Sequence, residues 1–364
     1  ELGEAVCEFA PAHEELEAVG DERVEVVGAR QRRHLRRIGV DEGRLDEGVF
    51  PGLLEDLDLQ LAAEKQLASD KFTLVAPFPA GGPIDTLARI LADGLGKRYG
   101  QVALVDNAPG AAGNIGMDKV KKAKPDGHTL LVIPAGNLTI NPTLMPKFPF
   151  NVDKDFVPVA MLAKTPNVLV THPGTGLKTV ADLIKAAKAK PDSLSYASPG
   201  IGSGLHLAGE LFKDQAKVEM LHVAYKGTPP ALNDVLGGTV PLMFSNLPTV
   251  LPHLKSGKLV ALAVTDSART PTAPDIPTMA EAGVPGIVVP SWYGLLAPAG
   301  TPTEVVEQLA RDAQAILAQP AVREQLKAQG MTDWNLQTAA FGAHIRDETA
   351  RWAKVIKARN ITME

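Results

Sequence analysis

An α/β fold is what this sequence predicts, on three observations. From Lys71 onward, short apolar runs alternate with stretches whose apolar residues recur at helical spacing. The turns joining a run to the following helix are rich in Gly, Ser and Thr and nearly free of charge. The composition is that of a globular chain: 364 residues, 45% hydrophobic and 22% charged, long enough for two or three domains with real cores. The same arithmetic removes other classes. No apolar run approaches the roughly 18 residues a membrane helix needs. A single cysteine, Cys7, leaves neither a disulfide framework nor a cysteine-based zinc site. A formal net charge of −5 provides no electrostatic footprint for nucleic acid.

The averages hide a change near Ser69 to Lys71. Residues 1–69 hold 17 acidic and 8 basic residues; the remainder holds 25 and 29. Seven of the eight basic residues before the change are Arg, and 21 of the 29 after it are Lys. The leading segment combines an acidic stretch at 14–25, an arginine cluster at 30–37 and a weakly amphipathic tail at 53–67. That cluster reads as an anion or nucleic-acid patch or as a solvated charged face, and the acidic surroundings favour the second. An exported body would carry a leader here. No apolar core of about 7–15 residues stands in the segment, because Glu55, Asp56 and Asp58 interrupt the one candidate. Residues 1–69 are assigned no function.

Beyond this segment the elements follow in order. Residues 72–77 read as a strand, followed by the turn Phe78-Pro79-Ala80-Gly81-Gly82-Pro83. A helix then carries Ile84, Leu87, Ala88, Leu91 and Leu95 on one stripe and closes near Gly100. A strand at 102–105, a Gly-rich turn, a helix ending at Lys124 and a strand at 128–133 come next. A long irregular stretch leads to a strand at 168–171 and a helix at 180–190. The second half repeats the grammar: strand 193–197, turn 198–203 and a helix to Phe212; strand 218–224, turn 225–228 and a helix that opens with Pro229 and stops at Gly237-Gly238. Further strands are expected at 240–244, 259–264 and 287–296, and helices at 304–317, 321–329 and 338–357.

In open α/β sheets ligands bind beyond the carboxyl ends of the strands, where such turns gather. Glycine lets a ligand approach the backbone, and Ser or Thr caps the helix and offers a hydroxyl. Each helix also points its unpaired amides and positive dipole end at the same place, so several converging ends can hold an anion without any arginine. One Gly-rich turn is ordinary helix punctuation; four in one body point to a shared anion site.

Enzymatic signatures mostly fail. Gly110, Gly113 and Gly116 are spaced wrongly for a dinucleotide fingerprint, and Gly257-Lys258 is followed by Leu259, not by the Ser or Thr of a phosphate loop. Ile201 occupies the first glycine position of a nucleophile elbow around Ser203. The eight histidines form no metal-ligand pair, so neither metal nor cofactor is expected. Asp85, in the first turn of its helix, reads as an acidic cap or as a ligand contact.

The turn Phe78-Pro79-Ala80-Gly81-Gly82-Pro83-Ile84-Asp85 resembles the opening of the Bug-type (TctC-like) substrate-binding proteins of tripartite tricarboxylate transporters. Pro109-Gly110-Ala111-Ala112-Gly113-Asn114 is similar to their second loop. Tyr196-Ala197-Ser198, Gly202-Ser203, His206-Leu207-Ala208-Gly209-Glu210, Tyr225-Lys226-Gly227-Thr228 and Ser291-Trp292-Tyr293-Gly294 follow in the family's order. The resemblance covers about residues 71–364. It implies a two-lobed periplasmic-binding-protein type II (Venus flytrap) fold with two crossing hinge strands, no catalysis and no cofactor. It further implies a periplasmic receptor, expected as a monomer, that hands a small carboxylate to the membrane components of a transporter. Lobe one is expected at 70–168 plus 289–364, lobe two at 169–288, and the hinge near Leu169 and Val289. The implied ligand-binding residues are Phe78, Pro79, Ala80, Gly81, Gly82 and Asp85 facing Lys226, Gly227 and Thr228, with Ser198, Gly202 and Ser203 as further donors and Asn137 on the wall. Two other classes remain open: a LysR-like ligand-sensing regulator, and a small-acid enzyme using Ser203, His206 or Asp85. Which carboxylate is bound is not written in the sequence.

Overall fold

The computed structural model describes residues 51–225 and 227–362. The chain divides into two compact units, residues 1–62 and 63–364. The amphipathic tail of the leading segment is helical, α1 (Pro51–Leu67). The rest of that segment, including the acidic stretch and the arginine cluster, lies outside the described residues.

In the second unit the chain first builds a parallel three-stranded core. β1 (Phe72–Ala76) leads through α2 (Pro83–Tyr99) to β2 (Ala103–Asn107), and α3 (Asn114–Lys121) leads to β3 (Thr129–Pro134). α2 starts at a proline, which suits the first turn of a helix, and ends on Gly100 in the left-handed conformation. β1 pairs in parallel with both β2 and β3. Three short helices follow, α4 (Ala135–Thr139), α5 (Asn141–Leu144) and α6 (Val152–Asp155), and then β4 (Phe156–Thr165).

After Pro166 the chain enters a second sheet. β5 (Asn167–Thr171), α7 (Val180–Ala189), β6 (Ser195–Ser198), α8 (Gly204–Ala216), β7 (Leu221–Ala224), α9 (Thr228–Leu236), β8 (Leu242–Asn246), α10 (Leu247–Lys255) and β9 (Val260–Val264) follow in turn. Their sheet has the order β7-β6-β8-β5-β9, with β6 parallel to β7 and β8, and β5 antiparallel to β8 and β9. The chain then returns. β10 (Ser291–Pro298), α11 (Thr303–Leu317), α12 (Pro320–Ala328), β11 (Thr332–Gln337) and α13 (Thr338–Ala358) complete the first sheet, whose order is β11-β4-β10-β3-β1-β2. Each sheet is covered on both faces by its own hydrophobic cores, giving a two-lobed α/β molecule.

Two features tie the lobes. The crossovers at Pro166 and at residues 289–290 meet in a polar knot. Asn167, fully buried, accepts from Asn246 Nδ2 (2.7 Å) and Ser291 Oγ (3.2 Å), and donates to Val289 O (2.7 Å). Thr265 N donates to Asn167 O, and Val289 N donates to Thr265 O. The second tie is α13. Its Phe341 and Ile345 pack in a core of the first sheet, while Trp352 and Ile356 pack in a core of the second. Arg359, just past its end, donates to Glu210 Oε2 (3.0 Å) and Glu219 Oε2 (2.9 Å).

The elements differ from the sequence reading in four places. The irregular stretch contains β4, ten residues whose apolar run is interrupted by Pro158; the proline falls where the pairing with β10 shifts register, a tolerated place for it. β11 is a polar edge strand with no apolar alternation to mark it. Residues 247–255 are helical despite Pro252. Ile287 and Val289 are apolar because they fill a core of the second sheet, and regular pairing starts only at Ser291.

Candidate functional site

The turn after β1 is shaped by one carboxylate. Gly81 takes φ +92°, a conformation costly for other residues, and its amide donates to Asp85 Oδ2 at 3.0 Å. Arg89 Nε donates to the same oxygen at 3.0 Å, and Asn107 Nδ2 donates to Asp85 Oδ1 at 3.1 Å and to Phe78 O at 3.2 Å. The bond from Arg89 holds the buried Asp85 carboxyl below the usual range, aided by Gly81 and Asn107 and opposed by burial. Both carboxylate oxygens therefore face inward. Above Gly81 and Gly82 the space is open: a Cβ on either would have no neighbour within 4 Å.

The turn from β6 to α8 is equally committed to itself. Ser203 caps α8, accepting from His206 N at 3.1 Å and donating to Gly200 O at 2.8 Å. Ser198 Oγ bonds His222 Nε2 at 2.7 Å and accepts from Gly200 N at 3.2 Å. Gly202 has φ +76° and sits against Leu144, where a side chain would collide. Its amide donates to His206 Nδ1 at 3.1 Å, which requires that nitrogen to be unprotonated. His206 and His222 stack with ring centroids 3.8 Å apart and planes 11° apart. Burial pushes their pKa values down to about 4 and about 3, and for His222 the neighbouring His206 adds to the effect. Gly227, at φ +109°, donates its amide to Pro199 O at 2.8 Å, and Thr228 opens α9. Lys226 lies outside the described residues.

A cleft of about 490 Å³ opens between the lobes. The first lobe contributes Phe78, Ala112 and residues 134–137, the second residues 199–204, the return crossover residues 289–293, and α13 contributes Glu348 and Trp352. Of the expected residues, the structure brings Phe78, Asn137, Gly202 and Ser203 onto this wall. Pro79, Ala80, Gly81, Gly82, Asp85, Ser198, Gly227 and Thr228 lie outside it, the hydroxyl of Ser198 being engaged by Gly200 and His222 and the carboxylate of Asp85 by Gly81, Arg89 and Asn107. Asn137 is held by Nδ2 donating to Ala112 O at 2.7 Å, across Gly113, whose lack of a side chain makes room for it. Sequence reasoning missed Ser291, Glu348 and Trp352. The Ser291-Trp292-Tyr293 block is visible as a motif, but nothing local marks the middle of a helix such as α13 as cleft wall.

An interlobe cleft walled by strand-to-helix turns from both lobes defines a class: receptors of the periplasmic-binding-protein type. Comparison with known proteins narrows this. The profile described as "Tripartite tricarboxylate transporter family receptor" matches residues 87–361. The chain belongs to that family. Protein BugT of Bordetella pertussis is 39% identical over 285 residues, covering 78% of this chain and 87% of BugT. The structure of the R. palustris protein Rpa4515 with adipate is 38% identical, with TM-score 0.70, covering 81% of this chain and 98% of that one. MatC from Rhodopseudomonas palustris with bound malate is 34% identical, with TM-score 0.66, covering 79% and 99%. The periplasmic binding protein BugD gives 34% and 0.67, covering 81% and 99%. The family is one of extracytoplasmic solute receptors, so the enzymatic and regulatory readings fall away. For Ser203 the geometry agrees, since its one hydroxyl hydrogen is given to Gly200 O.

Proposed function

We propose that the chain captures a small carboxylate in the interlobe cleft and delivers it, as a monomer, to the membrane components of a tripartite tricarboxylate transporter. The observation that carries this reading is the wall itself: turns at the start of α4 and α8 meet across one cleft in which, among the described residues, no Arg, Lys or His takes part. An anion held there rests on backbone amides. The first amides of α8, Gly204 and Leu205, have no partner within their helix. The turns at Pro79, Ala80, Gly81 and Gly82 and at Gly227 and Thr228 lie outside this wall and would reach the carboxylate only as the lobes close; Lys226 lies outside the described residues. Phe78, Asn137, Gly202 and Ser203 shape the wall, Ser198 braces the second turn through Gly200 and His222, and Asp85 holds the first turn in place. Relatives with adipate and malate support a carboxylate ligand.

Closure follows from differential affinity: a ligand touching both lobes favours the state in which they approach. The lobes are taken as residues 70–168 plus 289–364 and residues 169–288, hinged near Leu169 and Val289, with the end of α13 resting on the second.

The test is Gly82→Val. Gly82 has φ −90° and open space above it, so the substitution strains neither backbone nor packing. The variant is expected to keep the wild-type melting temperature and to lose at least tenfold in affinity for the acid found by a thermal-shift panel. Unchanged affinity would remove the 78–82 turn from the site.

A further inference from the structure

We propose that Lys164 and Asp266, an ion pair outside the cleft, are positioning residues that set solute affinity: the pair holds the lobes open and is given up when they close. This rests on the closure described above and goes beyond it by naming what opposes it.

The pair joins the two sheets. Lys164 stands one residue before the end of β4 in the first sheet, and Asp266 two residues past β9 in the second. Lys164 Nζ donates to Asp266 Oδ1 at 3.2 Å and to Oδ2 at 3.0 Å. Asp266 is buried, and Ser267 N donates to its Oδ1 at 2.7 Å, which fixes the carboxylate in its own turn. The Lys164 ammonium also lies 5.0 Å from the centre of the Trp334 ring on β11. A cation lodged between a buried carboxylate and an aromatic face is more than a loose surface pair.

The order of the strands gives the direction of its effect. In the first sheet the crossovers run through β10 and β4. β3, which ends at the cleft residues 134–137, lies on one side of them, and β11, with Trp334, on the other. In the second sheet β6 ends at the cleft residues 199–204, and β8 and β5 separate it from β9, which leads to Asp266. The pair therefore bridges the lobes across the hinge from the cleft. Two bodies turning about a hinge part on one side as they meet on the other, so narrowing the cleft stretches the pair. Gly330, just ahead of β11, touches the second lobe as well: Pro248 of α10 lies so close that a Cβ on Gly330 would collide with its ring.

A contact made in the open state and lost in the closed one lowers the closed population. The apparent affinity of a solute that needs closure falls by the same fraction.

The test is calorimetric titration and stopped-flow dissociation of the full chain, with adipate and with malate as probes. Lys164→Met keeps the unbranched stem on Trp334 without the charge, and Asp266→Asn keeps an acceptor for Ser267 N. Both variants are expected to bind the tighter of the two acids about threefold or more tightly than wild type, through slower dissociation and with no rise in melting temperature. Lys164→Arg, which can keep the pair, is expected to return to wild-type affinity. A pair that only supports the fold would leave binding unchanged or weaken it, and either result overturns the proposal. If neither acid binds the wild type, the carboxylate reading falls, and small-angle scattering of the unliganded chains decides this one. A smaller radius of gyration in Lys164→Met and Asp266→Asn then upholds it, and an unchanged one overturns it. Should one variant fail to fold, the other decides by the same criteria.

Discussion

Asp85 turns its charge inward, onto Gly81, Arg89 and Asn107, and so fixes the turn that the proposed ligand meets. Asp85→Ala leaves three donors without their acceptor. It is expected to lower the unfolding free energy measured in urea by about 2–3 kcal/mol, and to weaken solute binding by loosening Gly81 and Gly82. The pH dependence has a definite sign. A carboxyl whose folded pKa lies below its unfolded value stabilises the protein above the unfolded pKa, near 3.9, and loses that contribution as pH falls further. The gap between wild type and Asp85→Ala should thus be constant at neutral pH and close below about pH 4. At this scale the sequence was half legible. Gly81 announces a turn because few other residues adopt its φ of +92°. The inward aim of Asp85 was hidden, because its partner Asn107 is brought alongside only when β1 and β2 pair with Ala76 opposite Asn107.

The stacked histidines make the start of α8 the acid-sensitive element of the second lobe. Gly202 donates to His206 Nδ1 and Ser198 bonds His222 Nε2, so both rings serve the turn that faces the cleft. Their folded pKa values of about 4 and about 3 lie below the ordinary 6.5. Below pH 6.5 the unfolded chain takes up protons that the folded chain refuses, so stability falls from pH 6.5 down to about pH 4 for His206, and to about pH 3 for His222. For His206 alone the full loss is on the order of 3 kcal/mol. His206→Asn keeps an acceptor for the Gly202 amide and removes that titration. Urea midpoints at pH 7 and pH 5 are expected to differ less in the variant than in the wild type; an equal difference would mean that His206 is protonated when folded. Elements were readable where apolar pattern and punctuation agreed, as in α2 between its proline and Gly100. They were unreadable where a residue's character answers to a distant neighbour: β4 is central and carries Pro158 at a register shift, and β11 is a polar edge.

On the scale of the whole molecule the order of the turns was legible, because each turn carries its own Gly, Ser or Thr. Which of them meet was not, since that depends on two sheets and a terminal helix coming together. α13 is the clearest case. Its apolar stripe shows in the sequence, but not that Phe341 and Ile345 belong to one lobe and Trp352 and Ile356 to the other. The far end is fastened by Arg359 to Glu210, a buried carboxylate that also accepts from Tyr196 and Lys213. Arg359→Ala is expected to speed amide exchange in residues 352–358 and to leave residues 341–345 as in the wild type; uniform acceleration along the helix would show that the two ends are not anchored separately.

A helix of 21 residues is a rod about 31 Å long, and here it is set like the spine of a book, glued to both covers. Covers bound in that way are expected to swing more readily than they slide past each other. A cycle of loading and discharge would then bring the same pages back into register, and what the volume holds would be chosen by the same margins each time it shut.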